Sequence, residues 1–241
     1  MTSPHLTASA DLAATRSPSR VFYRGMAVVL LVAIAVGFST SARSRAAAGM
    51  PPLEWPVLVH AGMFFSWFLI FLVQTMLAAT GRITLHRALG YMAAVVAAVM
   101  VVDGPLVAIS AVRKGHLGPH PADLEFMLVM IGDVLVFGVF VALAVVHRRR
   151  SDLHRTFMLL GSLSMLPPAI ARWPGVNLDP AKVAVIMIPL VAAVPIHDLI
   201  VRRRLHPAGL WGAVGLLASV PVRVALAHTA AWHQFAGWLT R

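Results

Sequence analysis

Several apolar runs of about 20 residues or more decide what this chain can fold into. The hydrocarbon core of a bilayer is about 30 Å thick and offers no hydrogen-bond partner, so each run is expected to cross it as a helix. Strands are not expected, because the runs are long and lack alternation of polar and apolar residues. Only 12% of the residues are charged, against about 25% in a water-soluble domain. The predicted spans are 22–41, 54–80, 86–112, 123–147, 153–173, 181–201 and 207–233.

The predicted fold class is therefore an all-α polytopic transmembrane helix bundle of about seven spans. Because the connections are short, residues 21–241 are expected to form a single transmembrane helical domain. Residues 1–20 are polar and contain Ser and Pro, which predicts a disordered cytoplasmic tail. An alternative is a cleaved signal peptide, since Arg20 and Arg24 precede a short apolar stretch and then small residues. Cleavage would leave six spans.

The arginines lie in short clusters between the apolar runs, and their distribution predicts the orientation. The side that holds the amino terminus carries 12 arginines, including those at 148–150 and 202–204, and the other side carries seven lysines and arginines. The positive-inside rule then makes the amino terminus cytoplasmic. The net charge of +11 is better explained by loops that face anionic headgroups than by nucleic-acid binding. The expected location is the bacterial inner (plasma) membrane, with the lipid bilayer as the partner.

Two segments combine an apolar run with a basic Leu-His-Arg turn. They are HAGMFFSWFLIFLVQTMLAATGRITLHRALGY, residues 60–91, and GDVLVFGVFVALAVVHRRRSDLHRTFMLLGSLSMLPPAIARWP, residues 132–174. Both resemble an uncharacterised family of bacterial multi-pass membrane proteins, a domain of unknown function. The resemblance implies a multi-pass membrane fold and no particular substrate or cofactor. Near the sixth run the family pattern has an aromatic residue followed by Asp, where this chain has His197 and Asp198.

Three charged residues lie deep inside predicted spans. Asp133 and Arg223 are ten residues from the external end of their span, and Asp103 is ten residues before Arg113, so each lies about 15 Å from that boundary, near the bilayer midplane. A central charge costs roughly 2.5–3.5 kcal/mol on the insertion scale, so such residues are commonly functional. The group predicts a proton or ion site. The alternative is a structural ion cluster that holds the helices together.

Two histidines lie at matched depth near the external boundary. His60 is about 9 Å and His228 about 8 Å inside it. Neutral imidazoles on two helices can ligate a haem iron, which indicates haem b as a possible cofactor. The alternative is a pair of interfacial imidazoles bonded to backbone or water. The chain has no cysteine, which excludes thiolate ligands and disulfides.

Weaker patterns concern zinc and the cytoplasmic histidines. The chain invites comparison with seven-helix hydrolases that hold zinc through histidines, but His228 and His233 are five residues apart, which predicts rings on different faces of one helix. His86 and His154 start matching helices and are candidates for a pair, but the arginine beside each of them favours contact with headgroup phosphates instead. Pro167 and Pro168 are expected to break the fifth span beside Asp133.

The sequence thus leaves three functions open. The first is a b-type-cytochrome-like electron-transfer protein with His60 and His228 as axial ligands. The second is a proton-coupled carrier or channel that uses Asp103, Asp133 and Arg223. The third is a structural or accessory membrane subunit. Whether the protein is an enzyme is left open.

Overall fold

A computed structural model of the chain describes residues 18–115 and 121–241. Residues 1–17 of the predicted tail and residues 116–120 lie outside the described residues. The described residues are helical and contain no strand. The helices are α1 (Pro18–Ala47), α2 (Trp55–Ala79), α3 (Ile83–Arg113), α4 (Pro121–Val146), α5 (Ser151–Ser164), α6 (Pro167–Ile170), α7 (Pro180–Arg202), α8 (Pro207–Ala227) and α9 (Ala230–Leu239).

Six of these helices are long and apolar enough to cross a membrane, as in a multi-pass membrane protein: α1 to α4, α7 and α8. Their bounds follow the predicted runs within a few residues because prolines and polar caps mark several helix starts. At α7, for example, Pro180 takes the first helical position, and Asp179 Oδ1 accepts hydrogen bonds from the backbone nitrogens of Ala181 and Lys182. The predicted all-helical membrane fold is confirmed at this level.

The turns that carry the arginine clusters lie at one end of the bundle, which we call the basic end. There, Arg20 Nη1 at the start of α1 donates to Ala79 O at the end of α2, at 2.8 Å. Arg202 at the end of α7 lies 3.9 Å from Asp152 at the start of α5. At the opposite end, Lys114 forms an ion pair with Glu54 and joins α3 to α2.

The fifth apolar run is not one continuous helix. The α5 helix ends at Ser164, and a single further turn, α6, starts at Pro167. Proline lacks a backbone N–H and clashes with the carbonyl four residues earlier, so an α-helix cannot pass through Pro167 and Pro168 undisturbed. Between the two segments, Leu166 N donates a hydrogen bond to Leu163 O at 3.1 Å, which spans three residues, as in a 3₁₀ turn, instead of the four of an α-helix. The predicted break is present.

This broken helix lies in the middle of the bundle. Leu159, Leu160, Leu163 and Leu166 on it are fully buried. Backbone outside a regular helix is tolerated at membrane depth only where protein or a cavity surrounds it, and α5 and α6 meet that condition. The surrounding helices instead leave large apolar side chains exposed, such as Val95 and Val102 on α3. Such residues suit a lipid-facing surface.

The last apolar run also differs from the single span that was predicted. The α8 helix ends at Ala227, and Thr229 starts α9, where its Oγ1 accepts a hydrogen bond from Trp232 N at 3.2 Å. A threonine at this position competes with the helix for backbone hydrogen bonds and favours a new start. The argument from a five-residue spacing on one helix is therefore wrong for His228 and His233, since the axis changes between them.

The arrangement of the two ends can be tested by cysteine labelling, because the natural chain contains no cysteine. Thr80→Cys and Ser151→Cys place a thiol on exposed positions at the basic end, and Ala48→Cys and Ala181→Cys place one at the opposite end. With a cytoplasmic basic end, a membrane-impermeant maleimide added to intact cells should label only the second pair. Labelling of Thr80→Cys and Ala48→Cys from the same side contradicts the arrangement.

Candidate functional site

Asp133 on α4 and Arg223 on α8 form a buried ion pair. Arg223 Nη1 lies 2.8 Å from Asp133 Oδ1, and the two residues are only 4% and 7% exposed. Arg223 also donates to Val129 O at 2.6 Å and to Ser219 O at 3.1 Å. A buried charge is tolerated when it is paired and its remaining hydrogen bonds are made. Asp133 and Arg223, which the sequence places at the same depth, are therefore in direct contact.

Gly132 makes this ion pair possible. A methyl group at Gly132 would collide with the side chain of Arg223, so the absence of a side chain lets the guanidinium lie directly on the α4 backbone. Small residues allow this close approach between helices in membranes. The position next to Asp133 is therefore shaped for the arginine.

Asp103 lies at the same level but faces a different helix. Its neighbour Gly104 packs against Val134, the residue after Asp133, so α3 and α4 match in depth there. The carboxylate of Asp103, however, bonds His60 on α2, with 2.6 Å between Oδ2 and Nδ1. Both side chains of this pair are about one quarter exposed, at 25% and 27%. The three charged residues thus divide into two separate pairs.

The histidines near the opposite end converge on Glu125. His228 Nδ1 lies 3.0 Å and His233 Nε2 lies 3.3 Å from the same oxygen, Oε1. The turn at Thr229 brings both rings to one side. Sequence reasoning missed Glu125, and its position in the first turns of the fourth run was the available signal.

The structure does not bring His60 and His228 together. Each ring bonds a different carboxylate, Asp103 for His60 and Glu125 for His228. Within residues 18–115 and 121–241, no group of three or more His, Cys, Asp or Glu side chains is arranged to hold a metal ion. Ligation by this pair of histidines stays a prediction.

The buried polar residues of the described ranges lie on α5 and on the helices α4, α7 and α8 that pack around it, and we call this set the polar file. It consists of Asp133, Thr156, Ser162, Ser164, His197, Asp198 and Arg223. Three of its hydroxyl groups belong to α5 itself, at Thr156, Ser162 and Ser164, which are 2%, 0% and 1% exposed. Sequence reasoning missed them, because Ser and Thr occur at low cost in membrane helices and carry no signal of their own.

The hydroxyl groups of α5 contact the neighbouring helices. Ser164 Oγ lies 3.3 Å from Asp133 O, so the end of α5 contacts the backbone of α4 at the residue that pairs with Arg223. Ser162 Oγ accepts a hydrogen bond from Trp67 Nε1 at 3.1 Å. Thr156 Oγ1 is 3.0 Å from the hydroxyl oxygen of Tyr23 on α1. From Thr156 to Ser164 the hydroxyls cover about 12 Å along the helix axis.

The polar file ends in a cluster at the basic end. The ring of His197 stacks on Phe22 at 4.2 Å between centroids and meets the edge of Tyr23 at 5.7 Å. Asp198 is 1% exposed, and its Oδ1 lies 3.2 Å from Arg202 Nε. The guanidinium of Arg155 lies 5.0 Å from the centroid of the Tyr23 ring, a cation–π distance.

Asp152 forms the outer rim of this cluster. Its Oδ2 lies 3.4 Å from His206 Nε2 and 3.9 Å from Arg202 Nη1. Burial works against ionisation here, but backbone N–H groups and the charges of Arg150 and His206 hold the pKa of Asp152 below its ordinary value. Asp152 therefore stays ionised and anchors Arg202 and His206.

His86 and His154 form the pair that their matching positions indicated. Their ring centroids are 6.2 Å apart at 80°. The Nδ1 atom of His86 faces Gln74 O at 3.3 Å, and that of His154 faces Ala144 O at 2.9 Å. Backbone carbonyls thus hold both rings in place between α3 and α5.

Comparison with known proteins adds no relative: no family model, no curated protein and no solved structure matches this chain. The functional argument consequently rests on the polar groups within the bundle. The resemblance to an uncharacterised bacterial membrane family stays a prediction.

The Asp133–Arg223 pair predicts a specific pattern of stability. Arg223→Met should destabilise the protein by about 3–5 kcal/mol, because it leaves the carboxylate of Asp133 buried without a partner. Asp133→Asn should lower the stability as well, but the double variant should lose less than the sum of the two single losses. Thermal unfolding in one detergent measures all four proteins. Additive losses would show that the two residues do not act as a pair.

Proposed function

We propose that this chain moves protons across a membrane, as a proton-coupled carrier or channel. The polar file is the observation that carries the proposal. Ionisable and polar side chains cost free energy inside a bilayer, so their presence inside a bundle commonly marks an ion or proton pathway. Here three of the seven buried polar residues of the described ranges lie on the central helix α5, and Ser164 Oγ on it lies 3.3 Å from the backbone oxygen of Asp133.

The broken helix supports the same function. Transporters bind ions near the midplane at discontinuous helices, because the break frees backbone groups and leaves room around them. In this chain α5 ends at Ser164, whose Oγ touches the backbone of Asp133. As part of the proposal, α5 and α6 make a further crossing, which gives seven spans with a cytoplasmic amino terminus.

Asp133 and Arg223 have defined roles in this proposal. Asp133 is the proton acceptor, and Arg223 competes with the proton for the same carboxylate. When a proton binds Asp133, the guanidinium keeps its bonds to Val129 O and Ser219 O, so the arginine does not lose all its partners. Beyond Asp133, Glu125 lies about 12 Å further along α4 and faces His228 and His233 at the opposite end.

Proton flux into liposomes tests this function. With the purified protein, a potassium diffusion potential and an internal pH dye, flux above that of empty liposomes is expected. Asp133→Asn should reduce it about tenfold or more, since a positioned acid–base group typically contributes at least that much to proton transfer.

Asp103→Asn is the matched control, because Asp103 lies at the same depth outside the polar file. We expect this variant to keep most of the flux. Unchanged flux in Asp133→Asn would mean that the ion pair only packs the helices. Equal losses in both variants would mean that Asp103 belongs to the same pathway.

Haem binding by His60 and His228 is the second candidate, and one observation favours it. In each ring Nδ1 faces a carboxylate, which is the usual outer partner of a metal-ligating histidine and leaves Nε2 for the metal. The separation of the two pairs argues against one haem between these rings. A bound haem would supply one-electron redox chemistry.

The visible spectrum of protein purified from haem-replete cells decides this candidate. Ligation predicts a Soret band that shifts on reduction and is lost in His60→Ala and in His228→Ala. His147→Ala is the control, since that ring contacts the backbone carbonyl of Leu143 and the ring of Phe157 and belongs to neither histidine–carboxylate pair. A colourless preparation removes haem from consideration without affecting the proton pathway.

A further inference from the structure

The cluster at the basic end contains an unusual number of buried atoms without hydrogen-bond partners. In the described part of the chain, seven buried side-chain nitrogen or oxygen atoms have none. Five of them belong to three neighbouring residues: Arg155 Nε, both ring nitrogens of His197 and both carboxylate oxygens of Asp198. Buried polar groups are nearly always satisfied, so such a concentration indicates something that binds there.

The unsatisfied atoms are complementary to one another. The oxygens of Asp198 and one nitrogen of His197 accept hydrogen bonds, but Asp198 Oδ1 lies 3.8 Å from His197 Nδ1, just beyond bonding distance. One proton on the carboxylate turns an acceptor into a donor that faces the imidazole. A proton would thus add a second donor at this carboxylate, beside Arg202 Nε, which lies 3.2 Å from Oδ1.

The packing around the cluster limits the size of what can enter it. Phe22 and Tyr23 cover the ring of His197, and Gly209 on α8 packs directly on Asp198 Oδ2. The absence of a side chain at Gly209 is required for this contact. Little space is left for a ligand larger than water, which favours a proton over an organic substrate.

A cavity open to the surface lies beside this cluster at the basic end. It has a volume of about 550 Å³, and its lining includes Arg150, Arg204, His206 and Ala208. Ala208 directly precedes Gly209, which contacts Asp198. At the rim, Asp152 holds both His206 and Arg202, and Arg202 in turn reaches Asp198. The cavity therefore ends one residue along the chain from the contact with Asp198, and Asp198 itself is not part of its lining.

We propose that Asp198 and His197 form the proton-loading site of the polar file. A hydronium ion from the cavity gives its proton to a carboxylate oxygen of Asp198, which leaves water and a neutral carboxyl group. The new O–H donates to the imidazole of His197, and Tyr23 and Thr156 lead from there to α5. This inference rests on the proposed proton transport.

The charged and titratable groups that face this site come from every helix packed around it. They are Tyr23 from α1, Asp152 and Arg155 from α5, Arg202 from α7 and His206 before α8. Arg202 lies near two carboxylates, the ionised Asp152 and Asp198, so its positive charge is divided between them. Asp198 is 1% exposed and is more deeply buried than Asp152, the other carboxylate in this region.

Infrared spectroscopy of the whole purified protein in lipid nanodiscs tests the site without measuring transport. A C=O stretching band of a protonated carboxyl group should grow as the pH is lowered, and it should be missing from Asp198→Asn. The control Asp179→Asn, which changes an exposed helix-capping carboxylate at the opposite end, should keep the band. The proposal is overturned if Asp198→Asn retains the full titrating signal.

His197→Leu provides a second measurement if Asp198→Asn does not fold. Loss of the imidazole removes the acceptor for the carboxyl O–H and supplies no other, so the frequency of the C=O band should change. An unchanged band frequency would contradict the pairing of the two residues.

Liposome flux separates this inference from the proposed function. We expect Asp198→Asn to lower the proton flux about tenfold, in line with the loss of one positioned proton carrier. Absence of flux in the unmodified protein would refute proton transport, whereas the infrared band would still decide whether Asp198 binds a proton. Normal flux in Asp198→Asn would refute its role in loading.

Discussion

The high cost of an unsatisfied polar group in lipid controls this structure. The apolar runs close their own backbone bonds as helices, and the fifth run, which Pro167 and Pro168 interrupt, lies inside the bundle. The polar side chains follow the same constraint. Asp133 and backbone carbonyls bind the guanidinium of Arg223, because lipid offers no hydrogen-bond acceptor for it.

The central position of α5 connects architecture with proposed function. A helix surrounded by others exposes no face to lipid, so it can carry Thr156, Ser162 and Ser164 where a peripheral helix carries Val and Leu. These hydroxyl groups lie between a charged cluster at the basic end and the ion pair deeper in the bundle. The break after Ser164 then brings the end of α5 against Asp133.

The two charged regions of the polar file differ in how well they are satisfied. Arg223 and Asp133 form a pair with surrounding acceptors, which favours a rigid arrangement. His197 and Asp198 are as deeply buried, yet their polar atoms make no hydrogen bond, although Asp198 is within ion-pair distance of Arg202. The first region is therefore suited to hold helices and set a threshold for protons, and the second is suited to take up a proton from the adjacent cavity. Neither role follows from burial alone.

The apolar runs and the prolines determine by themselves that the chain is a helical membrane protein, roughly where its helices end and where the fifth run breaks. Counting residues along a helix also places Asp103, Asp133 and Arg223 at one depth. The rotation of each helix about its own axis cannot be counted in this way, because side-chain packing against the neighbouring helices sets it. Only the tertiary structure therefore decided that Asp133 meets Arg223 while Asp103 turns to His60. For the same reason, the neighbours of His197 and Asp198 could not be predicted from the sequence. Residues far apart in the chain form that cluster through contacts between α1, α5 and α7.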